Sequence, residues 1–324
     1  METKRWSVLA GSIAVALAGC GGGGGGDAPL TGDLTVTAAN QDTVSRSGMV
    51  ALQAGVLGGS AGVTAGGGGS VARALALAGR KRIAAVQPPV TELCSVSGST
   101  TTVYNDVDGN NAANPGDTAT ITYNACSDVA GEVTNGVVTA TYTQIQLSTL
   151  PASIGANLTT TGLSTQSATA SVSASGGFSM LMRIDSATAG TLHIAVPSGG
   201  AFAMAITTPL YSDTVTLRAG YALDSAYDGT ALPPGGTVPG RTTTTASGPV
   251  ASATAAGSVQ VTTLQPFVQY DVDPYPRSGR FQAVGKTGSV QAVVQSSAQV
   301  QIDLDADGNG SFEASKTVAW SDFF

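Results

Sequence analysis

Charge is scarce in this 324-residue sequence: Asp, Glu, Lys and Arg together make up 11% of it, and the formal balance is −7. A chain this poor in Lys and Arg lacks the electrostatic footprint that holds a phosphate backbone, so nucleic acid is excluded as a partner. Aromatic residues are scarcer still, at 5%. Any core must therefore be packed from Val, Ile, Leu, Ala and Met. The single histidine, His193, rules out a multi-histidine metal centre. No Gly-Lys-Ser/Thr follows a glycine loop, which removes the phosphate-cradling P-loop. Only three cysteines occur, Cys20, Cys94 and Cys126, and none has C-x-x-C spacing. Beyond residue 20 there is no apolar run approaching the ~20 residues that a membrane-spanning helix needs.

What is abundant is glycine (43 residues), together with Thr, Ser, Ala and Val. With 42% apolar residues and a modest net charge, this is not a disordered composition. It is that of a β protein with small side chains and many turns. From residue 94 onward the pattern alternates with period two. Ala119, Ile121 and Tyr123 alternate with Thr118, Thr120 and Thr122; Phe178, Met180, Met182 and Ile184 share one face. So do Leu192, Ile194 and Val196; Phe202, Met204 and Ile206; Val215, Leu217, Ala219 and Tyr221; and Val300, Ile302 and Leu304. Such clean alternation belongs to antiparallel strands with one wet face, not to a buried parallel sheet. Between Tyr142 and Ile145 the apolar parity slips, which predicts a bulge.

The fold class is therefore mainly β: a large one-sided antiparallel sheet, a meander or an open half-barrel, with one or two N-terminal helices packed on it. Residues 34–37 read as a short strand, and Asn40 as a helix N-cap ahead of Val44, Met49, Leu52, Val56 and Leu57. Residues from Gly58 to Ser70 form a glycine-rich loop. Val71 to Val86 predicts a second helix, stopped by Pro88-Pro89. The organisation is 1–19 signal, 20–33 tether, 34–87 helical segment and 88–324 β domain. Asp228 to Arg241, rich in Pro and Gly, is either a domain seam or a long loop within one sheet.

At the N-terminus, Lys4 and Arg5 precede an uncharged apolar stretch from Trp6 to Ala18, and Leu17-Ala18-Gly19-Cys20 is followed by Gly21 to Gly26. The stretch has the length and flanks of a signal h-region. This layout resembles a bacterial lipoprotein signal with its lipobox. The resemblance implies cleavage before Cys20, a diacylglyceryl group on its thiol and a further acyl chain, such as palmitate, on the new amino terminus. It also implies a lipid anchor in the cell envelope, most consistent with the outer membrane because Gly21 follows the cysteine. The glycine run costs too much chain entropy to order and reads as a flexible tether.

In an oxidising compartment Cys94 and Cys126 are expected to pair as a structural disulfide; a metal site or a reactive thiol is the alternative. The strongest chemical motif is Asp303-Leu-Asp305-Ala-Asp307-Gly308-Asn309-Gly310-Ser311-Phe312-Glu313. Asp303, Asp305, Asp307, Asn309 and Glu313 are candidate calcium ligands, because alternate carboxylates converge on one hard cation and glycine permits the sharp turn. The acidic residue falls one place early and the flanks read as strands, so an acidic β-turn is the competing reading. A weaker echo is Asn105-Asp106-Val107-Asp108-Gly109-Asn110, with Asp117 beyond it.

Enzyme signals are thin. Gly58-Gly59-Ser60-Ala61-Gly62 matches G-x-S-x-G, but a nucleophile elbow needs a strand before it and a helix after it. His193 falls on the polar parity of its strand and reads as a surface residue. Arg80-Lys81-Arg82 could touch anionic head groups, or be a solvated helix end. Tyr270, Tyr275, Trp320, Phe323 and Phe324 concentrate the scarce aromatics, for core packing or for a binding surface. No catalytic residues are identified. The expected function is a structural or interaction role for a membrane-anchored lipoprotein. A carrier for an apolar ligand is the alternative, by architectural analogy, and an enzyme comes third. The expected partners are the membrane, through acylated Cys20, and an unidentified protein or apolar small molecule.

Overall fold

The computed structural model describes residues 32–61, 88–147 and 149–323, with side chains of its helix described as far as residue 53. The expectations for Cys20 and the glycine tether, for the helix Val71–Val86, for Arg80-Lys81-Arg82 and for Phe324 lie outside the described residues.

Among the described residues, one α-helix, α1 (Gln41–Ala61), precedes sixteen strands. These are β1 (Val90–Leu93), β2 (Ser97–Asn105), β3 (Thr118–Ser127), β4 (Val133–Gln146), β5 (Ala152–Gln166), β6 (Ser171–Ser186), β7 (Ala189–Ala195) and β8 (Ala201–Thr207). There follow β9 (Ser212–Arg218), β10 (Ala222–Asp228), β11 (Arg241–Ser252), β12 (Gly257–Tyr270), β13 (Ser278–Val284), β14 (Ser289–Ser296), β15 (Gln299–Asp305) and β16 (Ala314–Ala319). All belong to one antiparallel sheet laid down in chain order.

Two rows of the meander are broken in the middle. β7 and β8 continue one another along β6, pairing Ser179↔Ala195 and Gly176↔Phe202. β10 and β9 do the same along β11, pairing Ala222↔Ser247 and Leu217↔Val250. At the first break stands Pro197, whose missing N–H cannot extend a ladder. The two breaks sit side by side: Val196 N–H donates to Tyr221 O (2.9 Å) and Gly220 N–H to Val196 O (3.1 Å). The segment from Asp228 to Arg241 closes a hairpin, because those two residues pair directly as the ends of β10 and β11.

The inner face carries the alternate apolar residues: Ala119, Ile121, Tyr123, Phe178, Met180, Phe202, Met204, Val215, Leu217, Phe281, Val300, Ile302 and Leu304 are buried. Their Thr neighbours point outward, and Thr120 and Thr139 join hydroxyls across β3 and β4 (3.4 Å). Of the two register shifts of β4 against β5, one falls between Tyr142 and Gln144, where the parity slips, and the other between Asn135 and Val137.

The helix α1 packs on β9, β10, β11, β13, β14 and β15, so the second half of the sheet curls around it. Val44, Met49, Val50, Ala51 and Leu52 supply its buried side. Gly48 is a poor helix former but sits against the Phe281 ring; a Cβ there would lie 2.5 Å from the ring edge. Arg46 donates to Leu210 O and to Asp322 O (2.9 Å each). Its guanidinium also lies 5.7 Å from the Tyr211 ring centre and 5.9 Å from that of Phe323. One side chain thus joins the β8–β9 turn to the C-terminal turn across the mouth of the curl. Lys316 on β16 pairs with Asp42 (2.5 Å).

Three local expectations are corrected. Residues 34–37 make a single parallel bridge, Thr35↔Thr287, because they cross the end of the sheet instead of lying along an edge. Asn40 does stand at the helix start, where its carbonyl accepts from Val44 N–H (3.0 Å), but its side-chain Oδ1 accepts from Thr37 N–H (2.8 Å) and fastens the incoming chain instead of the first turn's amides. The helix runs on to Ala61, past the Gly58 boundary expected for the loop.

Candidate functional site

The acidic motif is the turn between β15 and β16. Asp305, at the last position of β15, is buried, and its carboxylate gathers the turn's backbone. Oδ1 accepts from Gly308 N–H (2.7 Å) and Asn309 N–H (3.1 Å), and Oδ2 from Gly310 N–H (3.0 Å). Asp307 takes the backbone and side-chain N–H groups of Asn309 (3.0 and 2.8 Å). Asn309 Oδ1 accepts from Ser311 N–H (2.7 Å), and Glu313 Oε2 accepts from Ala306 N–H (2.6 Å). Gly308 and Gly310 have φ of 76° and 87°, the left-handed conformation that lets the chain turn so tightly.

The geometry brings together Asp305, Asp307 and Glu313, with one carboxylate oxygen from each within 4.8 Å of the others. It does not bring in Asp303. That residue is still in the ladder, paired with Ser315, and its Oδ1 accepts from Ser315 Oγ (2.6 Å) and Gln301 Nε2 (2.7 Å). The loop therefore begins two residues later than its sequence spacing implies.

The turn between β2 and β3 repeats the arrangement. Asp106 accepts from Gly109 N–H (2.8 Å) and Asn111 N–H (2.6 Å), and Asp108 from the backbone and side chain of Asn110 (3.1 and 2.9 Å). Asp117 takes the place of Glu313. It accepts from Val107 N–H (2.9 Å), Asn114 N–H (3.0 Å) and Tyr104 O–H (2.6 Å) while fully buried. Burial pushes the Asp106 carboxyl up, but the Asn111, Gly109 and Asn110 amides and Asp108 outweigh it and hold the group below its ordinary value. Burial, followed by the Asp117 carboxylate, pushes the Tyr104 hydroxyl far above its usual range. Chemically, each turn presents hard oxygen donors of the kind calcium takes, but those oxygens already serve the backbone amides.

Cys94 and Cys126 form a disulfide with Cα atoms 5.5 Å apart, so their sulfurs are not free for a metal. Asp128 beside them accepts from Ser95 N–H (2.5 Å). His193 stands on the outer face of β7, where Nδ1 meets Asp224 Oδ1 at 2.8 Å, with both side chains about one-third exposed. The aromatics divide: Trp320 and Phe323 are buried, and Tyr275 stacks on Trp320 with ring centres 5.3 Å apart. They close the core near Arg46. Residues 58–61 of the G-x-S-x-G match lie inside α1, so the strand that should precede a nucleophile elbow is a helix.

One polar centre escaped the sequence reading. Asp213 is buried at the start of β9 and accepts from Ser47 Oγ on α1 (3.0 Å), Tyr211 O–H (3.0 Å), Ser252 Oγ (2.5 Å) and Thr254 N–H (2.9 Å). Burial raises its pKa, but those four donors prevail and keep it below the ordinary value. Its signal was available: Asp213 shares the parity of Val215 and Leu217, an acid on an apolar face.

Comparison with known protein families, with curated proteins and with solved structures returned no match.

Proposed function

We propose that this chain is a lipid-anchored protein of the bacterial cell envelope whose β domain has a structural or interaction role. The observation that carries the reading is Leu17-Ala18-Gly19-Cys20 at the end of the apolar stretch, followed by six glycines. Two or three acyl chains, at ~0.8 kcal/mol per buried CH₂, anchor such a protein firmly. Its interior supports this role over that of a carrier: the inner-face apolar residues of β3, β8, β9, β13 and β15 are buried, with α1 laid across the second half. The test is metabolic labelling with radioactive palmitate. The full chain should carry label and sediment with membranes, and Cys20→Ala should lose both. Unlabelled, soluble full-length protein would overturn the reading.

A second reading concerns the two acidic turns, where three carboxylates converge in each. We propose that the 305–313 turn takes calcium through Asp305, Asp307 and Glu313. Calcium should raise the midpoint of thermal unfolding, and Asp307→Ala should abolish the rise while leaving the Asp305-bonded backbone in place. An unchanged midpoint in millimolar calcium would leave the turn purely structural.

A further inference from the structure

We infer, on the premise that Cys20 is acylated, that the sheet end around residues 32–36 rests on an uncharged, zwitterionic lipid surface, with Leu210 and Phe312 entering the head-group boundary. The point at which the chain joins the domain is fixed by bonds. Asp33 Oδ1 accepts from Ser258 N–H (2.5 Å) and Ser258 Oγ (2.7 Å). Leu34 N–H donates to Ser258 O (3.1 Å), Val36 N–H to Thr287 O (2.8 Å) and Lys286 N–H to Leu34 O (2.7 Å). The strap therefore lies over the turns 253–256 and 285–288.

Two further turns adjoin these. Thr254 Oγ1 donates to Ser212 O (3.0 Å), which brings up the 208–211 turn. A Cβ on Gly308 would lie 3.5 Å from Gly288 N, which brings up 306–313. Leu210 and Phe312, on those two turns, are 54% and 45% exposed. Lys286 is exposed between them, and Asp33, Asp307 and Glu313 are exposed around it. Arg46, bonded to Leu210 O, adds a second cation at this end, so acids and bases offset one another, an anionic surface gains no net attraction and the partner that fits is zwitterionic.

Only twelve residues run from Cys20 to residue 31. Even fully extended, that many residues reach at most ~43 Å. The opposite sheet end also exposes apolar side chains, among them Leu150, Leu232 and Val272. It stands away from the entry by the length of the strands. For β12, with 14 residues, this is roughly 45 Å. The anchor thus favours one end of the sheet.

The test uses the full acylated chain in phosphatidylcholine vesicles brominated along the acyl chains, with Phe312→Trp, Leu210→Trp and Leu232→Trp made singly. The native Trp320 is 1% exposed and sets the baseline. Interfacial apolar groups sit ~5–10 Å into the boundary, so Phe312→Trp should lose about half its added emission. Leu232→Trp should lose none. Leu210→Trp replaces the first variant if Phe312→Trp does not fold. Vesicle flotation and the mass of the N-terminal peptide are read on the same samples. An acylated, floating protein with both near-end tryptophans unquenched, or with Leu232→Trp quenched equally, overturns the docking and leaves the anchor standing. A chain without acyl groups that does not float overturns the anchor itself. A concentration-dependent blue shift without vesicles would assign the surface to a second copy and overturn the docking.

Discussion

Single residues decide how the helix is held. Asp213 receives four donors, from a helix, a strand and two turns, and truncation would leave the Ser47, Tyr211 and Ser252 hydroxyls without their acceptor. Unsatisfied buried groups cost ~1–3 kcal/mol each when they cannot rearrange. Asp213→Ala should therefore lower unfolding stability by about 3 kcal/mol at pH 7, read by denaturant titration. The pH dependence follows from the lowered folded-state pKa. The stabilisation is complete above the unfolded value, ~3.9, and is lost as pH falls through the folded one. Stability should thus decline with acid below about pH 4. Asp213→Asn, which cannot titrate, should show a shallower decline. Gly48 gives a second test. Alanine gains ~1 kcal/mol of helix propensity. It would also place a Cβ 2.5 Å from the Phe281 ring. Overpacking of ~1–3 kcal/mol exceeds that gain, so Gly48→Ala should destabilise.

At the scale of elements, the β2–β3 and β15–β16 turns are held by buried carboxylates, Asp106 and Asp117 in the first and Asp305 in the second, which take turn amides that have no ladder partner. Asp305 serves three backbone amides. Asp305→Ala should cost ~1–3 kcal/mol and raise hydrogen exchange at Gly308 to Gly310, while the amides of β13 stay protected. Cys94 and Cys126, 32 residues apart, pin the β1–β2 turn to the end of β3. Removing both sulfurs should lower stability by ~3–4 kcal/mol on the chain-entropy account, and reducing agent should shift the native protein's unfolding midpoint in the same direction.

For the molecule as a whole, the sheet passes unbroken through residues 228–241, because Asp228 pairs with Arg241. Calorimetry should show one transition whose van't Hoff and calorimetric enthalpies agree. Two separated peaks would restore the seam. Much of this architecture was legible in the sequence, since side-chain alternation is a local property: the inward parity of β3, β8, β9 and β15, the parity slip after Tyr142 and the outward His193 all follow from period two. The acidic turns were visible as motifs, but the carboxylate that opens the second one was not. Whether Asp303 or Asp305 opens the loop depends on how far the β15–β16 ladder runs, and that is a long-range pairing. The same holds for Asp213, Arg46 and Gly48, whose partners, the neighbouring Tyr211 apart, lie 39 to 276 residues away or, for Gly48, on the distant Phe281 ring. The sequence by itself determined strand content, face and the acidic turns, because these rest on neighbours along the chain. The curl of the sheet around α1, the strap at Ser258 and the side-by-side breaks at Val196 and Tyr221 were decided only by tertiary structure, where burial and backbone hydrogen bonds are satisfied between distant segments.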